Sequence, residues 1–437
     1  MNWNTLRDTS IIPKFLHLKR FILDNWNKMQ RFFSNFSSKL INNLDVANND
    51  LLDAIQDLEN FERSTKTLDR AKSCRYFQLQ SLIILLLNSV IAIQFLVLSI
   101  TDNETIRLYN GDIFVSSSER KVLNYFLHVG EMIPCMVKFF LLHLNQCERK
   151  SFLNMFDEYK NSLVQVEEKF ILLSTNERSF RITYYILIKL YKHCPIMVCA
   201  GFALAHISIA VFNYSSLKSF LFQMVHIAFL GVSYYFISSS GLWFLFIMTL
   251  ATLFGYYSID SLSTECNELN SINHYTRTNA LSFYYKINLL SNWMDCVNAQ
   301  VASIFMALYV YLAFHNILFF FYLTQFTFDN LGVKALLIFS NVLISMLLYV
   351  TNYLGSIASQ KASQLHLAIY RLSIDTGNLF NLKVSLKKLQ VLRRIEARKM
   401  GSYVGNYIYV DNNFILLLTL ECGSLYLLFC ANINRNN

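Results

Sequence analysis

The sequence predicts an all-α membrane protein with seven transmembrane helices, its N-terminus cytoplasmic and its C-terminus extracellular. Three observations carry this reading. Of 437 residues, 54% are hydrophobic and 15% charged, where a soluble domain carries about a quarter charged residues. The apolar residues fall in blocks long enough to cross a bilayer, which takes roughly 20 residues of helix. Lysine and arginine are divided unequally between the loops separating those blocks. The blocks are continuously apolar, which excludes a membrane β-barrel with its alternating strands.

In chain order, S1 runs from Tyr76 to Thr101, S2 from Val122 to Asn145 and S3 from Tyr184 to Phe212. S4 lies within Phe222 to Ser258, S5 runs from Leu289 to Leu323, S6 from Ala335 to Ser356 and S7 from Ile408 to Ala431. S4 sits in an apolar stretch of about 40 residues, interrupted mainly by Ser238, Ser239, Ser240 and Gly241. Two spans there would give eight crossings and move the basic S6–S7 loop outside. One long tilted helix, or an outer-surface helix leading into one span, keeps the count at seven.

Orientation follows from charge. Residues 1–75 carry 12 Lys and Arg, the S2–S3 loop 6, the S4–S5 loop 2 and the S6–S7 loop 9. The S1–S2 loop carries 3, and the S3–S4 loop, the S5–S6 loop and the tail 1 each. The positive-inside rule places the richer set in the cytoplasm; without residues 1–75 the division is still 17 to 6. Lys138, Lys189 and Lys192 lie in or near spans. Sequons at Asn103 and Asn213 fall in two loops assigned outside, which makes both candidate glycosylation sites. The first 30 residues show no apolar core of a cleavable signal peptide, so S1 is expected to act as its own insertion signal. The net charge of +9 belongs to this topology. The expected location is the plasma membrane, with lipid and not nucleic acid as the surrounding partner.

Four segments result. Residues 1–75 form a cytoplasmic N-terminal segment with an amphipathic helix from Asn48 to Arg75, in which Leu51, Leu52, Ile55, Leu58 and Phe61 recur at helical spacing. Residues 76–356 hold S1–S6. Residues 357–407 form a cytoplasmic helical segment: Gln360 to Ile374 continues S6, and a second helix follows Asp375-Thr376-Gly377-Asn378. Leu382, Leu386, Leu389, Leu392 and Ile395 lie on one side of that second helix, among Lys387, Lys388, Arg393, Arg394 and Arg398. It is either a solvated helix packed on its neighbours or an intersubunit anchor; a third reading is contact with anionic lipid. Residues 408–437 hold S7 and a short tail.

The motifs of common chemistries are missing. The sequence contains no P-loop, GxSxG, HExxH or CxxC, and its nine histidines are dispersed. No enzyme activity, metal site or cofactor is expected. The nine cysteines avoid the loops assigned outside, so no disulfide framework is expected. Three prolines in all, and no internal repeat, argue against a transporter. A G-protein-coupled receptor has the opposite orientation, and its Asp-Arg-Tyr and Asn-Pro-x-x-Tyr signatures are absent.

An inside N-terminus, seven spans and a basic loop before a short last span together resemble the insect chemoreceptor superfamily. The gustatory receptors match best and the odorant branch second. The local match lies in S7, where Gly405, Val410-Asp411 and Phe414-Ile415-Leu416-Leu417-Leu418 are similar to the stretch opening the family's last helix. The Thr-Tyr that follows in the family is degenerate here, with Ser424 at the Thr position and Tyr426 one place late. Its Gln-Phe is replaced by Ala431-Asn432. The resemblance implies a ligand-gated, poorly selective cation channel built as a tetramer, with four S7 helices lining the pore. It implies a pocket in the outer half of S1–S6 for a small tastant or odorant. Monovalent cations permeate in such channels, with divalent cations as a second class. The chain is accordingly expected in a homotetramer or a hetero-oligomer with related receptors. The alternative is a seven-pass receptor or scaffold that passes no current and signals through cytoplasmic partners.

Candidate residues follow. Leu417, Glu421, Ser424, Leu428 and Asn432 share one face of S7 by helical spacing. An acid inside a span is a functional candidate by default. Four copies of Glu421 would form an acidic ring favouring cations, with rings of Leu425 or Leu428 gating by dewetting. The competing reading pairs or protonates Glu421 between helices. For ligand binding, polar and aromatic residues scatter through the outer halves of the spans. They are Asn124, Tyr125, Phe126, His128 and Glu131 in S2, His206 in S3, Gln223, His226, Tyr234 and Tyr235 in S4, Tyr309, Tyr311, Phe314, His315, Asn316 and Tyr322 in S5, and Asn341 in S6. An apolar pocket with few placed polar groups suits a small ligand; interhelical hydrogen bonds are the competing use of the same residues.

Overall fold

A computed structural model describes residues 44–68, 75–114, 120–146, 153–164, 170–213, 216–271, 277–325, 331–372, 379–401, 403–404 and 408–433. Helix α1 spans Asn48–Ser64, α2 Arg75–Ile100, α3 Glu104–Tyr109 and α4 Arg120–Gln146. Then come α5 (Asn154–Val164), α6 (Glu177–Asn213), α7 (Leu217–Ser271) and α8 (Arg277–Gln325). The rest are α9 (Leu331–Arg371), α10 (Leu379–Ala397), the two-residue strands β1 (Tyr403–Val404) and β2 (Ile408–Tyr409), and α11 (Asn412–Ile433). Among the described residues, six helices are long and apolar enough to cross a membrane, and a shorter apolar stretch follows at Leu417–Ala431 within α11.

Length organises the molecule. Helix α7 has 55 residues and α8 has 49. At about 1.5 Å per residue such helices far exceed the ~30 Å of hydrocarbon. Helix α7 passes through Ser238, Ser239, Ser240 and Gly241 without a turn. Ser239 Oγ donates to the Tyr235 carbonyl at 2.6 Å and Ser240 Oγ to that of Phe236 at 3.1 Å, which hides each hydroxyl on its own helix. S4 is thus one continuous helix.

The main apolar core gathers where the long helices extend beyond their most apolar stretches. It joins Leu51, Ile55 and Leu58 of α1 to Tyr159 of α5, Phe180 and Tyr184 of α6, Phe254 of α7, Phe283 of α8 and Leu365 of α9. A smaller cluster at the opposite end joins Ile113, Phe114, Phe126, Ile209, Phe319 and Leu336.

Helix α1 fastens the first of these regions. Leu51 and Leu58 are fully buried, while its polar side reaches neighbours: Lys192 Nζ lies 2.8 Å from Asp57, and Lys160 Nζ 2.6 Å from Glu59. The Lys192 hydrogen bond and charge hold the Asp57 carboxyl below its usual range. The helix ends in a Schellman turn, with Thr67 N–H donating to Glu62 O and Lys66 N–H to Arg63 O. Lys66 takes the left-handed position, φ 55°, which glycine usually holds. Its carbonyl accepts from Ser81 Oγ of α2 at 3.2 Å and from Lys138 Nζ of α4. Beside it the Trp243 indole of α7 donates to the buried Glu62 carboxylate at 2.8 Å.

Several sequence boundaries move. The amphipathic helix expected to Arg75 ends at Ser64. S5, drawn from Leu289, has its most apolar span at Ile304–Gln325, and the residues before it belong to the core below. S7, drawn from Ile408, starts as helix only at Asn412. Ile408 and Tyr409 pair antiparallel with Val404 and Tyr403, and Asp411 Oδ1 caps the helix by accepting from Phe414 N at 2.9 Å. The ribbon turns away at Gly401, φ 152°, where a Cβ would lie 2.7 Å from Ser359 Oγ and from the Tyr409 ring. The N-terminal 43 residues, the Asp375–Asn378 turn and Gly405 lie outside the described residues.

Replacing Trp243 by Phe keeps an aromatic ring but removes the five-membered ring of the indole and with it the N–H that donates to a buried acid. We expect a loss of about 1–3 kcal/mol, read as a lower thermal midpoint of the purified protein in detergent. An unchanged midpoint would show that Glu62 is satisfied without the indole.

Candidate functional site

Between the two apolar clusters lies a cavity of about 230 Å³. Helix α4 supplies one wall at helical spacing, through Leu123, Phe126, Leu127, Gly130, Pro134 and Val137. Helix α7 supplies Tyr234, Ser238, Gly241 and Leu245, and α9 supplies Val333, Leu337, Ser340 and Ile344. Helix α8 closes the space with Phe305, Tyr309, Leu312 and Phe319. The few polar groups mostly have protein partners: Thr351 Oγ1 donates to Leu347 O at 2.7 Å, Ser238 Oγ to Tyr235 O at 3.4 Å, and Tyr309 accepts from Asn352 at 3.2 Å. The walls offer apolar contact and little hydrogen bonding.

Two features create the room. Gly130 and Gly241 both line the cavity, and a Cβ built on either meets no heavy atom within 4 Å. Pro134 interrupts the α4 ladder, since it has no N–H to donate one turn back. Just before that break, the Tyr311 hydroxyl donates to the Val129 carbonyl.

Of the residues expected to bind a ligand, Phe126 and Tyr309 line the cavity wall together with Tyr234. Tyr234 stacks on Phe202, ring centroids 5.1 Å apart, and lies against His206. Most of the others are committed to structure. Asn124 donates to Asp112 and to Arg120 O, each at 3.2 Å. Gln223 donates to Asp112 O at 2.8 Å, and His226 bonds Gln94 at 3.0 Å and Tyr109 O at 2.9 Å. A ring nitrogen of His128 sits 2.7 Å from Ala92 O, one of His206 2.7 Å from Phe202 O, and one of His315 2.7 Å from Tyr311 O. Asn341 donates to Asn316 at 3.0 Å, and Tyr322 packs edge-on against Phe126. Tyr125 and Phe314 are exposed at the bundle surface. Glu131 is buried just behind Tyr234; its oxygens lack a hydrogen-bond partner of normal geometry.

Residues not anticipated from the sequence close the cavity at one end. The connection from α2 to α4 folds down, so that Ile113 and Phe114 are buried and Phe114 joins the cavity wall. Asp112 anchors it with a fully buried side chain that accepts from Arg120 at 3.0 Å, Arg107 at 3.4 Å, Asn124 at 3.2 Å and the Phe114 N–H at 3.1 Å. Arg120 also donates to the Leu98 and Thr101 carbonyls at 3.2 and 2.7 Å, and to the exposed Asp102 at 3.1 Å. The Lys121 hydrogen bond, at 2.7 Å, holds the Asp102 carboxyl below its usual range. A Gly-Asp pair after a short helix was the available signal. Asn103, the first candidate glycosylation site, is exposed and caps α3 through its side-chain oxygen, 2.9 Å from Thr105 N. The side chain of Asn213 lies outside the described residues.

The last helix is packed on one side. Leu418 and Cys422 of α11 contact the cluster around Tyr309 and Leu348. Tyr426 bonds Thr324 at 3.1 Å, and Phe429 meets Phe321. The opposite face carries Leu417, Glu421, Ser424 and Leu428, all exposed, with Leu425 half-buried between the two. The Asn432 side chain lies outside the described residues. Helix α10 divides differently from its expected stripe. Leu392 is buried with Val384, Val391 and Ile395, whereas Leu382, Leu386 and Leu389 are exposed.

No family model and no curated protein matches the sequence. A solved structure does resemble the fold: the insect olfactory receptor OR5 from Machilis hrabei, at 10% sequence identity and a TM-score of 0.54. The superposition covers 86% of this chain and 97% of that one. The polytopic helical bundle described above is therefore the fold of an insect olfactory receptor.

Proposed function

We propose that this chain is an insect chemoreceptor acting as a ligand-gated, non-selective cation channel of the plasma membrane, with α11 as the seventh span and four copies of it lining the pore. The observation that carries the reading is the pairing, within this fold, of an apolar cavity among the helices and a last helix that leaves an acid-bearing face uncovered. The N-terminus lies in the cytoplasm and the C-terminus outside, as the basic loops require. Phe114 and the α2–α4 connection then face the exterior, and α1, α5 and α10 the cytoplasm.

The cavity is the ligand site, and its walls select the ligand class. A sugar carries several hydroxyls, each costing about 1–3 kcal/mol if buried without a partner. The walls answer few of them, so a small lipophilic molecule fits and a sugar does not. This favours an odorant-like ligand over a sugar tastant. In the assembled channel the exposed Leu382, Leu386 and Leu389 face a neighbouring subunit beneath the membrane. Glu421 rings the pore, while Leu425 and Leu428 provide its apolar constriction.

Three measurements test this. Gly241→Ala adds a methyl into open space, so it should keep or raise stability, by up to about 1 kcal/mol of helix propensity. It should also weaken the response to the largest active odorants in a ligand panel. A smaller response to every ligand at unchanged surface level would place the methyl's effect outside the cavity.

Glu421→Gln keeps shape and removes charge, so it should lower single-channel cation conductance while assembly persists. Glu421→Lys should lower cation permeability further, by repulsion. Unchanged conductance in Glu421→Gln channels at normal surface level would remove this residue from the pore. Membranes containing pure protein that pass no current with any ligand would favour the non-conducting receptor.

Leu386→Glu with Leu389→Glu should shift purified protein from tetramer to smaller species on cross-linking. Tetramers that survive both charges would locate assembly elsewhere.

A further inference from the structure

The α2–α4 connection has a property that neither the pore nor the ligand reading uses. Its described residues are held against the bundle by a set of polar contacts and by the burial of Ile113 and Phe114, which form an apolar plug. Gly111 has φ 63°, and a Cβ there would lie 2.3 Å from the His226 ring of α7. The chain is thus pressed directly onto α7 at a residue with no side chain. The next residue, Asp112, takes donors from α3, α4 and its own backbone, and its carbonyl takes Gln223 of α7. Two residues later Phe114, 1% exposed, completes the cavity wall.

We propose that the segment from Asn110 to Phe114 is a lid on the cavity, with Asp112 as its latch and Phe114 as the residue that sets the length of the molecule admitted. The proposal rests on the cavity being the ligand site. The energetics suit a latch. A buried ion pair gives up hydration of both charges, so its net stabilisation is small while its geometry is demanding. On opening, Asp112 and Arg120 regain water, and the apolar groups withdrawn are the adjacent Ile113 and Phe114. An apolar plug held by a polar clasp can therefore leave as a unit without unfolding the helices on either side. Phe114 also stands at the end of the cavity where α4 and α9 supply Leu123 and Val333. Its removal would lengthen the space rather than widen it.

The test uses the full chain in lipid nanodiscs. In Phe114→Cys protein, measured against the parent as background for the native thiols, a water-soluble thiol reagent should label position 114 slowly. Adding Asp112→Asn or the milder Arg120→Lys should speed that labelling about tenfold or more, because labelling follows local opening. Equal rates with and without the latch substitution, in protein of unchanged thermal midpoint, would overturn the lid. Binding of two fluorescent probes, 1-aminonaphthalene and the longer 1-aminoanthracene, supplies the second arm. Arg120→Lys should raise association and dissociation rates together with little change in Kd. Phe114→Ala should favour the longer probe by about tenfold relative to the shorter, through the apolar area it newly buries. A Phe114→Ala change equal for both probes would remove Phe114 as the length determinant. Failure of the wild-type chain to bind either probe would count against the cavity as a ligand site, and the labelling rates would still decide whether the segment opens.

Discussion

The bilayer supplies no hydrogen-bond partners, and that constraint governs this structure. A spanning backbone must satisfy itself, which only helices and closed barrels do. The same rule reaches the side chains. Ser208, Ser239 and Thr351 each donate to the carbonyl four residues back. One ring nitrogen each of His206 and His315 sits against its own helix in the same way. A polar residue neutralised on its own helix presents carbon to its neighbours. The bundle thus holds many polar residues and still encloses a cavity whose surface is almost wholly apolar.

Outside the hydrocarbon the rules change, and the two ends of the bundle show different solutions. At the end that gathers α1, α5 and α10, helices α6 to α9 run on far enough to build a soluble-type core, with Tyr159, Phe180 and Phe254 packed edge to face. Charged residues serve there as fasteners: Lys192 to Asp57, Lys160 to Glu59, and Arg394 to Asp295 at 3.2 Å. At the other end, among the described residues, little helix projects and only the smaller cluster around Phe114 and Phe126 forms. A short connection held through one fully buried aspartate does the work instead. The first solution is extensive and buries much apolar area; the second joins a few polar contacts to a smaller buried cluster around Ile113 and Phe114.

The legible part of the fold was set by composition over long windows. Block length and loop charge identify the spans, because twenty apolar residues in a row have few other uses. S4 was readable as one helix for the same reason: three serines hide on a helix as easily as they make a turn. Boundaries were less legible. Ile408, Tyr409 and Val410 look like the start of a span, but Gly401 turns the chain into a ribbon and Asp411 caps the helix later. The site was read least well. Polarity marked Asn124, Gln223 and His226 as candidates, yet these hold the α2–α4 connection in place. The residues that shape the cavity are marked by what they lack: Gly130 and Gly241 have no side chain, and Pro134 has no N–H. An absence of atoms leaves no periodic signal, whereas Tyr234 was legible because one residue both lines the wall and borders a buried acid.

The same constraint bears on the isolated chain as a functional unit. Leu417 and Leu428 would be content in lipid, but Glu421 stands between them on the same exposed face. A charge at the centre of a helix in hydrocarbon costs about 2.5–3.5 kcal/mol even on the insertion scales that price it lowest. Among the described residues no neighbour relieves it, since α11 turns its other face, with Leu418, Cys422 and Tyr426, to α8 and α9. Lipid is therefore a poor environment for this face, and water or another protein surface a good one. The three exposed leucines of α10 present the complementary problem: apolar groups on a helix that lies beyond the apolar spans, flanked by Lys383 and Lys387. An acid too polar for lipid and leucines too apolar for water are both accommodated when copies of the chain associate around an axis, with α11 facing a wet centre and α10 facing a neighbour. One arrangement thus resolves both mismatches, and it is the one that the proposed channel requires.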